Sequence, residues 1–386
     1  MTTPPFPANG PDAQPEFDGH TLVLLKHATP PAVLEAHIAR LGLEIDGEKL
    51  SDNGKVGGFE WPPPAGSELE KILQGGELVK WDYDLFKLNE LSGGRPLAAI
   101  AQGIIRSHGL VEKLKLDEAT LARYLNALET TYNACVYHNP MHAADVMHGT
   151  NFLLSGDLAA KLPPEELLVG LICGPAHDLG HPGVNNGFLI KRGHPVAETY
   201  NKLSVLENHH VGLSLRIMDL PGMDVLSCFD AAKRAELRDM MQKVVLFTDM
   251  TKHAELMVLM KAVTDEGRAL ECSRPDDRLL ILQTVLHTAD IGNPCKPWHI
   301  HIQWTHAIVA EFFSQGDLER GLGLELSPGC DRLQNCGRTS QKNFIQFFVR
   351  PLFVLCAEVI KETAEKCTSC YLQLDKNVER WIELGF

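Results

Sequence analysis

From about Trp81 to the end of the chain, apolar residues recur three and four positions apart, the spacing that gathers them on one face of a helix. The pattern predicts helices over Arg95–Ser107, Asp117–Ala134, Met141–Ser155, Pro164–Ala176, Leu206–Met218, Ala231–Lys252, Asp276–Ala289, Trp298–Gln315, Ser340–Val359 and Cys367–Leu384. Asn139 before Pro140 reads as a helix start, because its side chain can cap free amides and proline needs no partner at the first helical position. Asp276 and Ser340 are polar starts of the same kind. No run alternates apolar and polar residues as a half-buried strand would, and no repeat of 20 to 50 residues suggests a solenoid. The expected architecture is all-α, a single compact multi-helix domain over residues 81–386 behind a weakly structured N-terminal extension, residues 1–80. Within that extension Pro4, Pro5, Pro7, Pro11 and Pro15 mark a disordered leader. Thr21–Leu25 reads as a short strand, Ala32–Leu43 as a helix, and Gly57-Gly58 with Pro62-Pro63-Pro64 as a linker. No function is assigned to it.

Composition narrows the class. Of 386 residues, 44% are hydrophobic and 22% charged, values that permit a large core and exclude wholesale disorder. Lys and Arg number 36 against 50 Asp and Glu, a net charge of -14. Such a field argues against a nucleic-acid partner, and an anionic substrate would need its charge met locally, by metal. Ten cysteines are scattered. The one close pair, Cys367 and Cys370, has no second pair and reads as free thiols rather than a zinc site. No apolar stretch approaches the ~18 residues of a membrane helix, and no signal-peptide pattern opens the chain. The expectation is a soluble protein of the reducing cytoplasm.

Seventeen histidines are many for this length, and several cluster. His138 with His142, His177-Asp178 with His181, and His287 with Asp290 each fall at spacings that put two donors on one helix face. Imidazole suits zinc, whereas carboxylate suits zinc and also the harder magnesium. A carboxylate shared by two ions builds a binuclear centre of the kind that splits phosphate esters.

Two segments carry a resemblance. Tyr137-His138-Asn139-Pro140-Met141-His142-Ala143-Ala144-Asp145-Val146 and His177-Asp178-Leu179-Gly180-His181-Pro182-Gly183-Val184-Asn185-Asn186 resemble the signature segments of class I cyclic nucleotide phosphodiesterases. The likeness continues in family order through Glu207-Asn208-His209-His210, Thr248-Asp249-Met250, His287-Thr288-Ala289-Asp290, Glu311-Phe312-Phe313 and Gln341-Lys342-Asn343-Phe344. It covers roughly residues 80 to 385.

The resemblance implies an HD-type phosphodiesterase catalytic domain that opens the 3′-phosphoester of cyclic AMP and cyclic GMP. His142, His177, Asp178 and Asp290 would hold zinc, and Asp178 would reach a second ion, magnesium, with manganese an alternative there. His181, Glu207 and Thr248 would anchor the waters and the attacking hydroxide. His138 would be the general acid, oriented by Glu207. Tyr137, Asn293, His301, Ile308, Gln341 and Phe344 would form the substrate pocket, with Gln341 reading the purine and Phe344 and Ile308 clamping its ring. His301, which can donate or accept according to tautomer, would tolerate either orientation of the Gln341 amide, hence both nucleotides. A homodimer is the assembly the resemblance allows.

Three positions depart from the family. Gly180 stands where an acidic residue is common, Pro175, two residues before His177, should delete one backbone bond and kink the helix end, and Gly329 replaces a bulky apolar residue and so should open a side pocket. Two other readings compete: a different HD-type metal phosphohydrolase, and a non-catalytic cyclic-nucleotide sensor. Neither accounts for the complete set of metal ligands together with Gln341 and Phe344.

Overall fold

The computed structural model describes residues 58–333 and 338–383. The strand and helix expected at Thr21–Leu25 and Ala32–Leu43 lie outside them. The described residues are helical with no strand. The longer helices are α1 (Pro96–Ser107), α2 (Glu118–Thr131), α3 (Pro140–Leu154), α4 (Pro164–Ala176), α5 (Val205–Met218), α6 (Ala231–Val245), α7 (His253–Asp265), α8 (Pro275–Asp290), α9 (Trp298–Gly321), α10 (Arg338–Phe344), α11 (Arg350–Val359) and α12 (Ala364–Glu383).

Helix α3 is the axis of the fold. Every residue from His142 to Leu154 is buried, as expected of a helix surrounded by others, and its polar residues, Asp145, His148 and Asn151 among them, are buried with it. It packs against α1, α4 and α8. Gly174 lets α4 come close, since a Cβ there would lie 2.8 Å from the Met147 Cα. That approach brings the end of α4, which carries His177, beside the start of α3, which carries His142.

Breaks in the helices have local causes. The expected Ala231–Lys252 helix ends at Val245 and continues as two 3-10 turns, Leu246–Thr248 and Met250–Lys252, before α7. The expected Ser340–Val359 helix is interrupted by a π turn at Ile345–Val349. Pro351 lacks the amide that would close on Phe347, and a widened turn before it absorbs the loss. Pro175 sits in the last turn of α4, which stops one residue later; the expected kink is a helix end.

Residues 58–80 pack on the same core. Phe59, Leu69, Leu73 and Leu78 are buried within it, so the boundary drawn at residue 81 falls inside a continuous core. The proline cluster there had read as linker because its few apolar residues are too sparse to show a period. Cys367 and Cys370 are buried free thiols, as expected. Among the described residues no single helix is long and apolar enough to cross a membrane.

Candidate active site

Three helix ends converge. Asn139 caps α3, its side chain accepting from the amides of Met141 at 2.9 Å and His142 at 3.3 Å, which fixes His142 in the first turn. His177 terminates α4, Asp178 follows it, and Asp290 is the last residue of α8. The carboxyl ends of α4 and α8 therefore point at one spot, where their dipoles favour a cation. The His142 Nε2 lies 3.1 Å from Asp290 Oδ1 and 3.4 Å from Asp178 Oδ2, and the His177 Nε2 lies 3.3 and 3.0 Å from the same two oxygens.

The donor set fits a divalent ion. His177 Nδ1 donates to the Gly174 carbonyl at 2.7 Å, leaving a lone pair on Nε2, which is buried and makes no hydrogen bond among the described atoms. That lone pair thus faces carboxylate oxygens with nothing to share, and only a proton or a cation resolves the repulsion. Burial opposes charge on His177, but Asp178 and Asp290 outweigh it and raise its pKa well above the usual value. The same field would hold a metal. Two imidazoles and two carboxylates within 4.8 Å of one another suit zinc and similar divalent ions, and the backbone bond on the far nitrogen is the usual device for aiming such a ligand.

His138 stands beside this cluster. Its Nδ1 donates to Glu311 Oε1 in a very short bond, and its Nε2 lies 4.0 Å from Asp178 Oδ2. Glu311 Oε2 accepts from the amides of Tyr137 at 2.8 Å and His138 at 3.2 Å. Burial disfavours the His138 cation, yet Glu311, Asp178 and Asp290 raise its pKa to about 9. Burial would raise Glu311, but the charge and hydrogen bond of His138 push it down to about 2. The partner expected from sequence, Glu207, is elsewhere: both its oxygens accept from Asn186 Nδ2, at 3.3 and 3.0 Å. Glu311 reaches His138 from the middle of α9; it stands in one of the segments that carry the resemblance, but no role was assigned to it from sequence.

The three residues expected to anchor water differ in commitment. His181 stacks on His138 with ring centroids 3.9 Å apart. Its Nδ1 accepts from the Gly183 amide at 3.0 Å, so Nε2 carries its proton, and burial followed by the His138 charge lowers its pKa to about 3. Burial and the Asp249 charge raise Glu207 to about 7. Thr248 Oγ1 donates to the Val245 carbonyl at 2.9 Å. A fourth residue was not singled out from sequence: His210 donates from Nδ1 to the Leu179 carbonyl at 2.7 Å and aims Nε2 at Asp178 Oδ1, 3.7 Å away. Asp178 thus meets imidazoles on both oxygens. At Gly180 the backbone φ is 74°, a left-handed turn that an acidic side chain would strain. Asn133 closes that turn by donating to the Gly180 and His181 carbonyls.

Of the remaining predicted residues, Tyr137 lies against the cluster and Asn293 reaches it through Tyr137. Tyr137 packs its ring, tilted by 35°, on His142 at 4.5 Å and lies with Ile300, Trp304 and Ile308. Asn293, on the turn after α8, donates from Nδ2 to the Tyr137 hydroxyl at 2.7 Å. Gln341 is buried on α10, and the half-buried Phe344 stacks on Phe348 at 5.8 Å. Gly329 has a left-handed φ, 81°. His301 corrects the sequence reading. It is fully buried, its Nε2 accepts from Trp381 Nε1 at 3.0 Å, and burial lowers its pKa to about 3. That bond fixes one tautomer, with the proton on Nδ1, so His301 is no free adaptor between two bases.

An all-α domain whose helix ends deliver two His and two Asp beside a carboxylate-held His is the architecture of a metallophosphoesterase. Residues 137–370 match the 3′5′-cyclic nucleotide phosphodiesterase family, to which this chain belongs. It is 39% identical over 350 residues to 3′,5′-cyclic-AMP phosphodiesterase 4C of Mus musculus, covering 89% of this chain and 48% of that protein. It is 34% identical over 309 residues to isoform F of the 3′,5′-cyclic-AMP phosphodiesterase of Drosophila melanogaster, covering 78% of this chain and 46% of that protein. The chain thus spans about half the length of these curated relatives. The crystal structure of the phosphodiesterase domain of the RhoPDE fusion protein from the choanoflagellate Salpingoeca rosetta superposes with a TM-score of 0.74 at 29% identity, over 82% of this chain and 98% of that one.

Proposed function

We propose that this chain hydrolyses the 3′-phosphoester of 3′,5′-cyclic AMP to give 5′-AMP, and so ends a second-messenger signal. The observation that carries the reading is His138, held by Glu311 with its Nε2 directed at the Asp178 edge of the cluster. Ring opening expels an alkoxide, a poor leaving group that needs a proton as the bond breaks. His138 Nε2–H supplies that proton, and Glu311 stabilises the imidazolium before transfer.

His142, His177, Asp178 and Asp290 would hold a divalent ion such as zinc, and Asp178, which also faces His210, would help to hold a second, magnesium or manganese. When bound, the pair of ions neutralises the phosphoryl charge and makes water nucleophilic at neutral pH. Neutral His181, Glu207 and Thr248 orient the water on that side. Tyr137 and Asn293 define the base end with Gln341, and Ile308 and Phe344 flank the ring.

Dual hydrolysis of cyclic AMP and cyclic GMP required a His301 free to change tautomer, which the Trp381 bond removes. Asn293 points the other way. With its amide nitrogen committed to Tyr137, its oxygen is the end left to accept, matching the exocyclic amine of adenine rather than the O6 of guanine. The curated relatives above are named for cyclic AMP. The free thiols support a reducing, cytoplasmic compartment.

The test is turnover of cyclic AMP and cyclic GMP by metal-replete protein, then after chelation and metal return, with the nucleotide products resolved by chromatography. Formation of 5′-AMP that is lost on chelation and restored by zinc with magnesium is expected. A metal-replete protein that forms no 5′-AMP ends the proposal.

A further inference from the structure

The turn that carries Asn293 also carries Lys296, whose ammonium is buried. Lys296 is 1% exposed. Its Nζ lies 3.3 Å from Asp145 Oδ1 on α3, 3.1 Å from the Trp81 carbonyl and 3.9 Å from the centre of the Trp81 ring. The Trp81 indole in turn donates to the Cys295 carbonyl at 2.8 Å. On the other side of the turn, Asn377 of α12 donates to the carbonyls of Pro294 at 2.8 Å and Lys296 at 2.7 Å. A buried ammonium is costly unless such partners meet it, and nothing in the hydrolytic chemistry uses this one.

The geometry has a direction. Asp145 follows His142 by three residues, so both lie on one face of α3. Asn293 precedes Lys296 by three residues, and the Lys296 amide closes the turn onto the Asn293 carbonyl at 3.1 Å. Asp145 and Lys296 therefore tie the segment at the base end to the helix that delivers a metal ligand. His148, one turn further along α3, puts Nδ1 3.5 Å from Lys296 Nζ. Burial and the Lys296 charge hold its pKa well below the usual value, so it adds no second positive charge. Trp81 lies upstream of the segment that matches the family, residues 137–370.

We infer that Asp145, Lys296 and Trp81 form a clamp that positions the Asn293 turn, setting the span between the metal cluster and the base end of the substrate. The inference rests on the functional reading above, because it needs a nucleotide whose base and phosphate are held at once. The three are positioning residues, and their loss should be felt only by a substrate that has a base.

The experiment compares cyclic AMP with bis(4-nitrophenyl) phosphate, a phosphodiester with no base and a leaving group that needs little help. Trp81→Phe keeps the ring and deletes the donor to Cys295. The double variant Asp145→Asn with Lys296→Met removes the buried pair together, so that neither charge is left alone. Both are expected to raise KM for cyclic AMP by about three- to tenfold, the order of one lost hydrogen bond, while zinc content and the rate on the aryl diester stay within about twofold. Equal losses on both substrates, or no change on either, overturn the clamp. If Trp81→Phe alone behaves as expected while the double variant loses zinc, the pair shapes the core and only the tryptophan positions the turn, which also overturns the clamp as stated. A parent protein that cleaves the aryl diester and not cyclic AMP overturns the functional reading, and the clamp falls with it.

Discussion

His138 and Glu311, 173 residues apart in sequence, form one acid unit: a single carboxylate accepts from the imidazole Nδ1 and from the backbone amides of Tyr137 and His138. The three bonds fix where the ring sits and leave Nε2 as the end that can give up a proton. Glu311→Gln keeps the size of the side chain and removes the charge. Turnover of cyclic AMP should fall by about ten- to a hundredfold, part of the usual range for a general acid, with zinc content unchanged. Loss of zinc in this variant would mean that Glu311 shapes the metal cluster instead.

The same pair sets a pH dependence. His138 is raised to about 9 and Glu311 lowered to about 2. A raised histidine contributes stability that is complete below its unfolded value, near 6.5, and is lost as pH climbs through 9. A lowered carboxylate contributes stability that is complete above its unfolded value, near 4.5, and is lost as pH falls through 2. The pair therefore stabilises most between about pH 4.5 and 6.5. In kcat/KM the acid form of His138 persists toward pH 9, and in Glu311→Gln, where burial is less opposed, the alkaline limb should move to lower pH. A limb that stays in place when the pH profiles are overlaid would show that another group controls it.

Asp178 and His138 should separate by metal analysis. Asp178→Ala removes the carboxylate that faces His142 and His177 with one oxygen and His210 with the other, so zinc should be depleted and turnover lost. His138→Ala should keep the metal and lose about a hundred- to ten-thousandfold in rate. Elemental analysis beside a turnover assay checks both, and zinc loss from His138→Ala would make it a ligand.

What the sequence disclosed and withheld divides along chain distance. Helical periodicity is a local property, so most helices were legible, and His142, His177, Asp178 and Asp290 followed from the resemblance because each stands in a short contiguous motif. Glu311 and His210 act across 173 and about 30 residues, through packing of helices whose relative placement no spacing encodes. His301 failed for the opposite reason: its chemistry was read correctly, but its partner, Trp381, is on the last helix, and burial removed the choice of tautomer. The two 3-10 turns continue the apolar period of α6 and so read as part of it, whereas α7, His253–Asp265, was not among the expected helices.

Packing between α3 and α4 should control metal retention. In Gly174→Ala the new methyl meets the Met147 backbone at 2.8 Å, where nothing can rotate away. Overpacking of this kind costs about 1–3 kcal/mol, and because His142 and His177 ride on these two helices, zinc should also dissociate more readily. Gly321→Ala is the control, since its added methyl meets nothing within 4 Å, and it should leave melting temperature and zinc content nearly unchanged. Equal behaviour of the two variants would mean that the close approach at Gly174 does not position the ligands.

Nucleotide selectivity should depend on Tyr137 through Asn293. The Tyr137 hydroxyl takes the Asn293 amide nitrogen at 2.7 Å, which turns the amide oxygen to the other side. Adenine, with a donor at its exocyclic nitrogen, matches that oxygen, whereas guanine brings O6 and places acceptor against acceptor. The parent is expected to prefer cyclic AMP by more than about a hundredfold in kcat/KM, near 2.7 kcal/mol. Tyr137→Phe keeps the ring on His142 and frees the amide to flip, so the preference should narrow to about tenfold, chiefly by gain on cyclic GMP. Zinc content should be unchanged, which separates lost selectivity from a damaged site. A Tyr137→Phe variant that keeps the full preference would show that Gln341 alone selects the base.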